Sequence, residues 1–313
     1  MIASYFSGRT GNHFFQYAYA RLLMEARGNK DQLVINYQLV QQRNNEKGYV
    51  DALQDFNVQK YIINNRNLWL SCGTVKQKLV YLLFRLSLFI KGSSEINMDD
   101  WRKRLQEQGI ILRKYNDSDT DTKVPNTKNI ILYGKFENSK YFDSIKDLLI
   151  KEYTPKHAPL PNNIDLYNVI YNNNSVCIHI RRGDFLSDEF KNDFYVCDTE
   201  YYLEGIEYIK KHVDNPIFIF FSNDLPWVKE NFKLDTPVYY EPENNPLWET
   251  FRMMYSCKHF IISNSTLSWW AQYLSRYSDK IVVCPDHWYN NKTKNECARL
   301  IEPNFHTIQC KWH

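Results

Sequence analysis

The sequence predicts an α/β fold with parallel sheets, on three observations. Short apolar runs alternate with helix-length segments through the second half of the chain. Polar residues gather where those apolar runs end. The length, 313 residues at 43% apolar composition, suits two cores rather than one, because single cores stop growing beyond ~250–300 residues.

Taken in order, residues 2–6 read as an apolar strand, 7–11 as a glycine-containing loop, and 14–24 as a helix by apolar spacing. Residues 36–75 show no period and read as irregular. Segments 76–90 and 98–108 read as helices, and the polar stretch 114–128 as a loop. A strand at 130–133 and a helix at 141–152 follow, then a proline-bearing linker at 154–163. Beyond it, strands at 176–180, 217–221, 238–240, 260–263 and 281–284 alternate with helices at 200–212, 226–232, 247–257 and 267–276. That alternation implies a parallel sheet covered on both faces, a Rossmann-like domain. The first half opens the same way but carries a helical insertion at about 60–125. The predicted division is an N-terminal domain at 1–155, a C-terminal domain at 165–300 and a tail at 301–313.

Bulk properties remove several function classes. Lys and Arg total 39 against 36 Asp and Glu, a net of +3, too small an excess for a nucleic-acid binder. Seven cysteines (72, 177, 197, 257, 284, 297 and 310) form no C-x-x-C pair and sit largely in apolar runs, which points to buried free thiols in a reducing compartment. No metal-ligand spacing stands out. The opening MIASYFSGRTGN lacks the basic and apolar regions of a secretory signal, so a cytoplasmic protein is expected. The greasiest segment, 79–90, is interrupted by Arg85 and falls short of the ~20 residues of a membrane span. With Lys76, Lys78 and Lys91 beside it, segment 76–91 is either a helix packed on the protein or a face resting on an anionic membrane.

In open parallel sheets, ligands bind beyond the carboxyl ends of strands, and four such ends carry unusual polar groups. His179, Arg181, Arg182 and Asp184 leave the strand at 176–180. Guanidinium forks match phosphate oxygens, and such cations are costly to bury without an anion. The structural alternative is an internal pair in which Asp184 holds Arg182; we expect Asp184 to hold one arginine, leaving the other free to meet a ligand. The loop with Gly11, Asn12 and His13 precedes the first helix, whose N-terminal amides favour anions. It lacks P-loop or G-x-G-x-x-G spacing, which argues against a nicotinamide oxidoreductase. Asn223 and Asp224 end the strand at 217–221; Asp224 is either a nucleoside ligand or the cap of the following helix. Ser263, Asn264, Ser265, Thr266 and Ser268 gather at another helix start. The adjoining Trp269 and Trp270 read as core. A diphosphate clamped between two Rossmann-like halves would use all four clusters.

These residues resemble a known family. GRTGNHFFQYAYARLL, GKFENSKYF, HIRRGDF, FFSNDLPWVKENF and CKHFIISNSTLSWWAQYL occur in the chain order of the bacterial α-1,2-fucosyltransferases, glycosyltransferase family 11. Departures exist: His13 stands where the family has Gln, and the Gly8-Arg9-x-Gly11-Asn12 loop is similar to that of protein O-fucosyltransferases. The resemblance implies a GT-B architecture, two Rossmann-like domains facing across a cleft. It implies inverting transfer of L-fucose from GDP-β-L-fucose, without metal or cofactor, to O2 of a β-galactoside in O-antigen, capsule or oligosaccharide synthesis. The acceptor glycan would be free or lipid-linked. Arg181 would meet the β-phosphate with Arg182 in support, and His179 would lie near the nucleoside or phosphate. Asp184 would orient the motif, Asp224 would hold guanine, and Gly11, Asn12, Ser265, Thr266 and Ser268 would face the phosphates. Asp188 and Glu189 are the candidate general bases. Transfer with another linkage (α-1,6 or O-linked) and a non-catalytic nucleotide-sugar-binding protein are the alternatives.

Overall fold

The structure is a computed structural model, and it describes residues 1–43, 50–113, 123–296 and 298–312. Cys297 and positions 114–122 of the expected loop lie outside the described residues, as does the side chain of Lys91. The chain forms two compact units, Met1–Gln54 with Val58–Lys146, and Asp55–Asn57 with Asp147–His313.

In the first unit, β1 (Ile2–Tyr5), β2 (Leu33–Asn36), β3 (Tyr61–Ile63), β4 (Ile110–Arg113) and β5 (Ile130–Gly134) form a parallel sheet in the order β3-β2-β1-β5-β4. The chain starts at the centre, winds out to β3, then returns on the far side of β1. The order therefore reverses between β1 and β5, where Tyr5 is level with Tyr133. Helix Thr10–Ala26 packs its apolar residues into the core, with Phe14, Phe15, Tyr17 and Leu23 fully buried. The expectation of irregular structure over 36–75 is not met throughout: β3 and a helical turn at Leu68–Ser71 fall inside it. Strand β3 is three residues of an exposed sheet edge, ordered by backbone pairing to β2 rather than by an apolar face. A run that short has no readable period. The insertion contributes β4 and the helices Val75–Glu95 and Met98–Glu107.

In the second unit, β6 (Asn174–Ile180), β7 (Pro216–Ser222), β8 (Val238–Tyr240), β9 (His259–Ile261), β10 (Val282–Pro285) and β11 (His306–Ile308) form a parallel sheet in the order β11-β10-β9-β6-β7-β8. This is the Rossmann order, with its switch point between β6 and β9. Strands β6, β7 and β9 are almost wholly buried, as expected where helices cover both faces. Helix Thr199–His212 is capped by Asp198, which accepts from Tyr201 N at 2.9 Å, and ends in Lys210, Lys211 and His212, a charge order that suits its dipole. Gly205 lets this helix lie against the sheet, because a Cβ there would stand 3.1 Å from Ile261. Trp269 and Trp270 are fully buried and belong to the core. Cys72, Cys177, Cys197, Cys257, Cys284 and Cys310 are free and buried. No helix among the described residues is long and apolar enough to cross a membrane.

Candidate active site

Register brings the predicted cluster of the second unit together. Ile180 pairs with Ser222, so the residues after β6 and those after β7 emerge at the same level. Arg182 Nε comes to 3.3 Å from Asp224, and its guanidinium lies 3.9 Å from the centre of the Trp227 ring. Arg181 pairs with Asp184 at 2.8 Å and, through a second nitrogen, at 3.0 Å. Asp184 thus holds Arg181 and not Arg182, and the other arginine is not left without an acid as expected, because strand register brings Asp224 from the end of β7 beside Arg182. Asp224 also caps helix Leu225–Asn231, accepting from Trp227 N at 3.4 Å. Asn223 Oδ1 accepts from the backbone amides of Arg182 at 3.0 Å and Gly183 at 3.3 Å, fixing the turn that carries both arginines.

Across the switch point, His179 Nδ1 meets Ser263 Oγ at 3.1 Å, and Ser263 Oγ meets Ser268 Oγ at 3.2 Å, all buried. Burial first, and the Arg181 charge second, push His179 down to about 3, so its ring is neutral. Asn264 acts as an internal clamp: its amide donates to Phe194 O and Trp288 O, both at 2.9 Å. Ser265 and Thr266 are partly exposed at the start of helix Thr266–Leu274, which has no side-chain cap and no acid in its first turn. Such an uncompensated N-terminus favours an anion. Asp188 and Glu189 are exposed beyond the arginine turn.

The remaining predicted residues sit at the switch point of the first unit. Gly8 turns with φ +82°, and Asn12, in the first turn of helix Thr10–Ala26, accepts from Arg9 N at 3.2 Å and donates to Glu137 at 2.7 Å. Gly11 is buried in that turn. His13 is fully enclosed beside Phe6 and Tyr37, with ring centres at 5.4 and 5.6 Å. Neither ring nitrogen reaches a well-formed hydrogen bond. Burial, then Lys135, pushes His13 down to about 3, outweighing what the Gly8 backbone offers a proton. The first helix has no acid in its first turn either.

Sequence reasoning did not single out Trp227, Gln16, Lys135, Glu137 or Glu241. Gln16 ties the two central strand ends, accepting from Ser7 N at 3.1 Å and donating to Gly134 O at 3.0 Å. Glu241, raised by burial, accepts from Ser222 N at 2.9 Å and Thr250 Oγ1 at 2.8 Å. The first four lie inside the quoted motifs, which was their signal; Glu241 follows the short β8 and had none.

Residues 1–308 match glycosyl transferase family 11. The chain belongs to that family. Among its relatives, the O-antigen biosynthesis glycosyltransferase WbnK of Escherichia coli is 27% identical over 92% of this chain and 95% of its own length. An alpha-1,2-colitosyltransferase of the same species is 34% identical over 52% of this chain and 57% of its own. Galactoside alpha-(1,2)-fucosyltransferase 1 of Homo sapiens is 28% identical over 41% of this chain and 37% of its own. As a family 11 glycosyltransferase, the protein presents its arginines, its buried histidine–serine chain and an uncompensated helix N-terminus at the place where open parallel sheets take ligands.

Proposed function

We propose that this family 11 enzyme transfers L-fucose from GDP-β-L-fucose, with inversion, to O2 of a β-galactoside during surface-polysaccharide synthesis on the cytoplasmic side of the membrane. The observation that carries the reading is the pair of guanidiniums at the β6/β9 switch point, beside the neutral His179–Ser263–Ser268 chain. As GDP leaves, negative charge grows on its phosphates. Arg181, Arg182 and the amides of the helix starting at Thr266 stabilise that charge without a metal ion. Fixed donors of this kind contribute ~2.7–4 kcal/mol each. Asp184 and Asp224 hold the guanidiniums in place before the donor arrives. Asp188 or Glu189 takes the acceptor's proton.

The names of the relatives support a fucosyl-type donor and an α-1,2 linkage. A second reading replaces fucose with colitose, because the relative with the highest of the three identities is a colitosyltransferase. The test is incubation with GDP-fucose or GDP-colitose and a panel of β-galactosides in EDTA, with the product linkage read by NMR. An α-1,2-fucosyl galactoside is expected. Transfer from GDP-colitose alone would give the second reading, and no transfer from either donor would remove both.

A further inference from the structure

A cavity of about 870 Å³ opens in the first unit, beyond the carboxyl ends of β1, β5 and β4. Its volume lies within the ~300–1,000 Å³ usual for ligand pockets. Trp69, Tyr81, Phe84, Leu88, Phe89 and Leu112 make its apolar wall. The Trp69 and Tyr81 rings stack at 3.9 Å, which stiffens one side. Arg85, Arg102, Arg113 and Lys135 also line it, and among the described residues no aspartate or glutamate does. Arg113 is buried at the end of β4, donating to Gln106 Oε1 at 3.0 Å, and Arg102 is paired outside the lining with exposed Asp99 at 2.9 Å. Lys135 reaches the Ser7 carbonyl at 3.4 Å; burial lowers its pKa, and the nearby Glu137 charge opposes that in part.

Apolar walls that carry four basic side chains suit an occupant that is both greasy and anionic. Phe89 is 89% exposed, and Leu82, Leu86 and Ile90 on the same helix, Val75–Glu95, are exposed as well, so an apolar surface continues outward from the cavity. Scattered exposed apolar residues need no explanation, but a contiguous patch marks a binding surface.

We propose that this cavity binds the phosphate-linked hydrocarbon anchor of the acceptor glycan, with the chain against Tyr81, Phe84 and Leu88 and the phosphate among Arg85, Arg102 and Lys135. The proposal deepens the transferase reading and rests on it for the identity of the occupant.

Two measurements on the full chain test it. In the first, dodecyl phosphate below its micelle concentration and dodecanol are titrated by calorimetry without donor. The phosphate form is expected to bind at least roughly tenfold tighter, the size of one charge-assisted hydrogen bond, and Arg85→Glu to abolish that preference. Phe89→Ser, at an exposed position, should weaken both ligands. Equal binding of the two amphiphiles overturns the proposal, as does binding to phosphatidylglycerol vesicles without binding of the monomer, which would make the surface a bilayer contact. In the second, one galactoside is offered as its methyl glycoside and as its dodecyl phosphate. A kcat/KM ratio of at least about ten in favour of the anchored form is expected, falling toward one in Arg85→Glu; a ratio near one in the unaltered enzyme overturns the proposal. If neither donor supports any transfer, the transferase reading fails, and the calorimetric arm still decides whether the cavity takes an anionic amphiphile.

Discussion

The two units wind their sheets around the same kind of switch point, but they place charge there differently. Beyond β6 and β9 each arginine has its own carboxylate, Asp184 for Arg181 and Asp224 for Arg182. Beyond β1 and β5, Glu137 is bonded to Asn12 and acts on the buried Lys135 through its charge, and Lys135, with a carbonyl at 3.4 Å, shares a cavity with three arginines, of which Arg102 pairs with Asp99. The first arrangement fixes its cations before a ligand arrives, so little reorganisation remains when charge develops. The second sets four basic side chains beside apolar walls. Topology supplies the place for a ligand; the carboxylates decide whether that place is preorganised or merely attractive.

Removing the paired arginine is the largest test of this contrast. Arg181→Ala is expected to lower kcat/KM by at least ~100-fold with an unchanged melting temperature. Near-normal turnover would take Arg181 out of the mechanism and leave the contrast without a catalytic meaning.

The two buried histidines test it next. His13 and His179 are both held near a pKa of about 3, against ~6.5 for the unfolded chain. Above pH ~6.5 neither state carries the proton. As pH falls from there toward 3, only the unfolded state gains it, so each histidine costs up to ~1.4 kcal/mol of stability per pH unit. Replacing His13, which has no well-formed hydrogen bond, by Phe should leave stability at pH 7 equal or higher and raise it at pH 5. His179→Phe breaks the bond to Ser263 and should cost about 1–3 kcal/mol at pH 7. Urea unfolding at both pH values checks this, and equal behaviour of the two variants would contradict the structural difference between them.

A smaller effect is expected from Gly183→Ala. A Cβ there would stand 2.6 Å from Asn223 Nδ2, so the amide must move and loosen its bonds to the arginine turn. A loss of roughly tenfold in kcat/KM is expected, equivalent to ~1.4 kcal/mol. Unaltered kinetics would show that the turn holds without Asn223.

Much of the second unit was legible in the sequence because its strands are long, apolar and regularly separated. β6 and β7, at seven residues each, need no tertiary information to be seen. β3 and β11 were not legible, since three residues gain strand geometry only from the neighbour they pair with. The motif residues 179, 181, 182, 184, 223 and 263 were found as polar groups at strand ends. Which carboxylate meets which arginine was not, because Asp184 is three residues from Arg181 but Asp224 is forty-two from Arg182. The placement of His13 was also hidden: a helical position next to Asn12 can face solvent or core, and only packing against Phe6 and Tyr37 decided it.

What the sequence alone determined is chemistry and order: an α/β chain, arginines and hydroxyls at the ends of predicted strands, and motifs spaced as in a family to which residues 1–308 belong. What only the tertiary structure decided is pairing. Strand register set Arg182 beside Asp224 and His179 beside Ser263, and it drew cations from β4, β5 and two helices around one apolar cavity. Periodicity and residue type act over a few neighbours and can be read along the chain, whereas the energy of a charge depends on which groups long-range packing brings within a few ångströms of it.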